Sequence, residues 1–174
     1  KIWAKYFALM DVLETYHGTI PKSVKFFLNP TTGLFEPAFF DGHQGTGPSN
    51  EFLLINFTKK NKSERNCGWI CNDARGPLHK KFFEMLIGTK DKADVNFYIE
   101  YKKMLDLITS DKEYKNILNP IWNSLSSHRG EIYRGFWRMN KWDGMGIAPH
   151  VAPLTKVRRR INLIKNRIKD SEEF

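Results

Sequence analysis

The chain has 174 residues, 41% of them apolar and 14% aromatic, with 28 Lys and Arg against 19 Asp and Glu. That apolar content is enough to build a core and excludes a chain disordered throughout. No run of about 18 uncharged apolar residues is present to span a membrane as a helix.

The charge is uneven. In residues 1–50 four cations cancel four acids, so residues 51–174 carry the whole surplus, 24 cations against 15 acids. The densest stretch runs from Lys156 to Lys169 and contains no acid. Such a surface attracts the phosphates of nucleic acid, lipid or nucleotide, and it also fits a plain solvated helix face. Lys1 to Tyr6 lack the apolar stretch and cleavage site of a signal peptide. There is no initiator methionine, so a mature product or a piece of something longer is expected. Cys67 and Cys71, with His79 nearby, offer at most three ligands, one short of a structural zinc site. A local disulfide or two free thiols is the expectation. Asn56-Phe57-Thr58 and Asn61-Lys62-Ser63 are glycosylation sequons, which matter only on a eukaryotic secretory route.

Ile2, Trp3, Tyr6, Phe7, Met10 and Leu13 recur at helical spacing and predict a helix over 2–14 with those residues on its inner face. Gly18 and Pro21 stop it. Two strand-like runs follow, 24–28 and 34–40, joined by Asn29-Pro30-Thr31-Thr32-Gly33, a strong turn signal. They predict a hairpin, with Pro37 placing its strand at an edge or a bulge. The loop Asp41-Gly42-His43-Gln44-Gly45-Thr46-Gly47 comes next, and 59–76 reads as a long polar excursion. From Pro77 the pattern is helical. One helix is expected over 78–87. A second, capped by Asp94, puts Phe97, Tyr98, Tyr101, Met104, Leu105 and Ile108 inside. A third is capped by Asp111, and a fourth covers 127–139. The segment 142–153, with Gly144, Gly146, Pro149 and Pro153, is a loop. A last helix starts near Leu154, with a stripe of Leu154, Val157, Ile161, Ile164 and Ile168 and the basic run on its opposite side. The fold class expected is mainly α with one short β-hairpin (α+β), in a single domain over 1–174.

The order of helix, loop, hairpin and acid resembles the large lobe of protein kinases, where the acid after the hairpin holds magnesium against nucleotide phosphates. The phrase from Lys25 to Pro37, followed by Phe40-Asp41-Gly42, resembles that of the CotH kinase family. The downstream pattern of Phe82-Phe83, Val95 to Tyr101, Met104-Leu105 and Tyr114 is also similar. The resemblance implies an atypical protein-kinase-like C-terminal lobe, with the ATP-gripping Lys and Glu on an N-terminal lobe outside this sequence. It implies Mg2+ and ATP as cofactors, and as partners the nucleotide, a protein substrate and that missing lobe. It also implies a bacterial surface, spore-coat or secreted setting. Position by position, Asp41 matches the metal-binding Asp, and Ser23 stands where the family has a second, Asn ligand. Gly18 stands where the family has its catalytic Asp, with His17 beside it as a substitute base. His43, beside Gly42, is a further candidate for contacting phosphate or metal. Asp11 and Glu14 read as exposed or capping acids. The chain is then either a divergent kinase or a pseudokinase that binds without transferring. Two other readings stay open: a basic helical domain that binds nucleic acid through 156–169, and a non-catalytic surface or coat scaffold.

Overall fold

The computed structural model describes residues 1–13, 24–38, 54–64, 77–89, 91–113, 116, 119–128, 131, 154–171 and 173. Helix α1 runs Ile2–Leu13. Strands β1, Lys25–Asn29, and β2, Leu34–Ala38, form a two-stranded antiparallel sheet. A 3-10 turn at Leu54–Thr58 and a shorter one at Lys62–Glu64 follow. Then come α2 (Pro77–Ile87), α3 (Val95–Thr109), the single turn α4 (Asp111–Glu113), α5 (Asn119–Ser127) and α6 (Leu154–Lys169). The described protein is mainly helical with one hairpin, as its sequence pattern predicts.

Helix α1 packs most extensively against α3. Its buried residues are Ala4, Phe7, Ala8, Met10, Asp11 and Val12, while Ile2 and Leu13 are exposed. The buried face is therefore rotated from the expected one: Phe7 and Met10 belong to both, Ile2 and Leu13 drop out, and Ala4, Ala8 and Asp11 come in. Ala4 and Ala8, one turn apart, have no bulk beyond Cβ and so let α3 approach closely. Trp3 and Tyr6 sit at the edge of the core. Trp3 meets Phe26 of β1 and Phe82 of α2 edge-on, and Phe26 stacks on Phe82 with ring centroids 5.8 Å apart.

The hairpin is regular. Lys25 pairs with Ala38 and each following pair stays in register to Asn29 with Leu34, so Pro37 sits in an edge strand without a bulge. The carbonyl of Phe35 accepts a hydrogen bond from Trp3 Nε1, so it points away from β1. By antiparallel alternation the Leu28–Phe35 and Phe26–Pro37 pairs are the non-hydrogen-bonded ones. Pro37 therefore sits where no ladder donor is needed. Asn29 closes the turn: its Oδ1 accepts from Thr31 N at 2.9 Å, and its Nδ2 donates to Glu36 Oε1 at 2.8 Å. Gly33 adopts φ +68° there.

Helix α2 ends at Gly88, whose φ of +81° is the left-handed conformation that closes many helices. Thr89 and Lys92 exchange backbone hydrogen bonds, and Asp94 then caps α3, its Oδ1 accepting from Phe97 N at 2.7 Å. Phe97, Tyr98, Tyr101 and Leu105 of α3 are buried, as expected. They join Phe7, Phe83, Ile87, Leu54, Ile55, Phe57 and Ile164 in one core cluster that unites α1, the first 3-10 turn, α2, α3 and α6. Asp111 is the first residue of α4 and not a cap. Its carboxylate pairs with Lys165 of α6 at 3.0 Å. The 3-10 turn at Leu54–Thr58 has no counterpart among the predicted elements, yet all five of its residues are buried. Most of the helix expected over 127–139, and the loop over 142–153, lie outside the described residues.

Candidate functional site

His17, Ser23, Asp41 and His43 lie outside the described residues, as do Cys67, Cys71 and the side chain of His79. The structure describes what carries the segments that hold the four candidates. α1 ends at Leu13, one residue before the segment with His17 and Ser23, and β1 begins two residues after Ser23. β2 ends at Ala38, three residues before Asp41. Because Lys25 faces Ala38 across the sheet, Ser23 and Asp41 belong to segments that leave the same end of the hairpin.

One charged cluster is buried where those segments attach. Asp11 is 2% exposed. Its Oδ2 accepts a hydrogen bond from the backbone N of Leu54 at 2.9 Å and another from the hydroxyl of Tyr101. The first amides of a helical turn have no partner within it, so the Asp11 side chain from α1 satisfies the leading amide of the Leu54–Thr58 turn while the Tyr101 hydroxyl from α3 holds the same carboxyl oxygen. Arg160 of α6, also 2% exposed, donates from Nε to the backbone carbonyl of Asp11 at 2.9 Å.

These positions correct two expectations. Asp11 is neither an exposed acid nor a cap of its own helix, because the rotation of α1 carries it inward. Arg160 leaves the outward basic run, because it lies four residues before Ile164 and shares the buried face of α6 with it. Burial dominates the electrostatics. It raises the Asp11 carboxyl from 3.8 to about 7, although the Arg160 charge and the hydrogen bonds from Tyr101 and Leu54 all pull it down. Burial, with the neighbouring Asp11 carboxylate adding to it, holds the Tyr101 hydroxyl well above its ordinary range.

Elsewhere on α6, Lys165 is engaged with Asp111 and Arg167 lies 4.0 Å from Asp170. Arg159 and Lys169 are exposed. Two surface grooves flank α3 and meet at Glu100. One, of about 350 Å³, is lined by Trp3, Met85 and Phe97 among others, and the second, of about 390 Å³, by Lys5, Lys103, Met104 and Leu107. The first sequon is inaccessible in the fold: Asn56 and Thr58 are both buried, and Thr58 Oγ1 donates to the Ile55 carbonyl. Asn61 of the second is exposed.

The magnesium and ATP implied by the family resemblance have their proposed donors outside the described residues. Among the described residues no group of three His, Cys, Asp or Glu is close enough to hold a metal ion, and no helix is long and apolar enough to cross a membrane. Comparison with known protein families, curated proteins and solved structures finds no match.

Proposed function

We propose that the chain carries a phosphotransferase-type site of the CotH kinase kind, active or reduced to nucleotide binding, on a kinase-like C-terminal lobe. Asp41 would be its magnesium ligand and Ser23 a neutral oxygen beside it. The observation that supports this reading most is the hairpin. Its strands pair without a slip from Lys25–Ala38 to Asn29–Leu34, and the Trp3–Phe35 hydrogen bond fastens it to α1. A short rigid hairpin on a helix is a spacer for two loops, one before it and one after it. Magnesium prefers hard oxygen ligands and bridges phosphate oxygens, which is the chemistry it would supply when bound. His17 would be the base that takes a proton from the acceptor hydroxyl.

The test is magnesium-dependent binding of ATP by the chain joined to an upstream lobe, measured by titration calorimetry, with wild type and Asp41→Ala compared. Binding that requires magnesium and disappears in the variant is expected. Equal affinity in the variant would overturn the assignment of Asp41. No binding by wild type, alone or joined to an upstream lobe, would overturn the class.

A further inference from the structure

We infer that Asp11 is a positioning residue that ties both ends of the segment 14–53 to one point of the core, through a hydrogen-bonding set that responds to pH. What is positioned rests on the phosphotransferase reading, since that segment carries His17, Ser23, Asp41 and His43. The tie itself does not.

The geometry is specific. α1 stops two residues after Asp11, where the segment begins, and the 3-10 turn starts at Leu54, where the segment ends. The Leu54 amide is bound to Asp11 Oδ2, and the Tyr101 hydroxyl donates to the same oxygen. Arg160 secures the main chain of Asp11 from the other side. Both feet of one long excursion thus stand on a single side chain. The hairpin in its middle has a separate fastening at Trp3.

A neutral amide would suffice for a merely structural tie, whereas a buried carboxylate titrates. The groups facing it among the described residues are Tyr101 from α3, with Tyr98 beside that ring, and Arg160 from α6. The 3-10 turn presents backbone amides. Within the closed junction the carboxyl keeps its proton up to about pH 7. Opened to water it ionises in the ordinary range, near 4. Linkage then fixes the sign: opening becomes easier by up to about tenfold per pH unit from about 4 to about 7, and levels off above that. The feet are held most firmly on the acidic side.

The experiment is amide hydrogen exchange of Leu54 in the full chain from pH 4.5 to 8.5, for wild type and Asp11→Asn, with magnesium-ATP titrations in parallel. Protection factors in wild type should fall by up to about tenfold per unit towards pH 7 and then level, while those of Asp11→Asn stay flat. Flat wild-type protection, or the same slope in the variant, overturns the inference. If Asp11→Asn does not fold, Tyr101→Phe decides. Loss of that donor raises the carboxyl further, so the levelling point should move to higher pH, and an unmoved point overturns the inference. An exchange step without magnesium-ATP binding at any pH, by the chain alone or joined to an upstream lobe, removes the phosphotransferase reading and keeps the tie. Binding without a step removes the tie and keeps that reading.

Discussion

The indole Nε1 of Trp3 donates to the backbone carbonyl of Phe35 at 2.8 Å, and this bond joins the first helix to the outer edge of the hairpin. It occupies one of the outward carbonyls of β2, two residues before Pro37. Trp3→Phe keeps a ring beside Phe26 and Phe82 and removes the donor together with part of the ring's packing. It should cost at least about 0.5–1.5 kcal/mol for the lost hydrogen bond, read by denaturant unfolding, and should speed amide exchange in the hairpin more than in α3.

The two left-handed glycines should respond differently to alanine. At Gly33 an added Cβ meets nothing within 4 Å, so only the backbone conformation is penalised, by about 1–2 kcal/mol. At Gly88 the added Cβ collides with the Lys92 carbonyl oxygen and the Asp94 nitrogen. That overlap adds about 1–3 kcal/mol to the same penalty. Unfolding of both variants under one set of conditions should rank Gly88→Ala clearly below Gly33→Ala.

Helix α3 offers two graded substitutions. Asp94→Ala removes a cap and should lower stability by about 1 kcal/mol. Leu105→Ala, at a fully buried position in the core cluster, should lower it by about 2–5 kcal/mol. The larger loss at position 105 is the expected order in chemical denaturation.

Global stability should carry the signature of Asp11. Its folded-state value is raised, so the native chain binds a proton that the unfolded chain has released between about pH 4 and pH 7. This contribution is fully present below about 4 and is lost as the pH rises to about 7. Asp11→Asn does not titrate. Its unfolding free energy should therefore gain on that of wild type from pH 5 to pH 8, and parallel curves would contradict the assignment.

Much of this was legible in the residues. Asp94 and the spacing of Phe97, Tyr98, Tyr101 and Leu105 announce α3 because a cap and a 3.6-residue period are local signals. The hairpin follows from its turn residues in the same way. The Leu54–Thr58 turn was silent because five residues buried on every side show no alternation to read. The inward face of α1 was read only in part, Phe7 and Met10 rightly and Ile2 and Leu13 not, because pattern reading favours large side chains and passes over the buried Ala4 and Ala8. Asp11 and Arg160 had a faint signal. Asp11 follows Phe7 by four positions and Ala8 by three, and Arg160 precedes Ile164 by four, so each lies on an apolar stripe. Their partners, however, come from far along the chain, which no local window contains. Of the proposed site, the order of parts and the wording around Asp41 were readable, but the placement of His17, Ser23, Asp41 and His43 falls outside the described residues.

The bond between Arg160 and Asp11 spans 149 positions. A ribosome adding roughly 5–20 residues per second needs about 7–30 s to make that much chain. For that interval the newborn first helix waits without the guanidinium that holds its Asp11 carbonyl. The packing around that point is completed only once residue 160 has been made, and a product truncated before Arg160 would keep an unfinished interior.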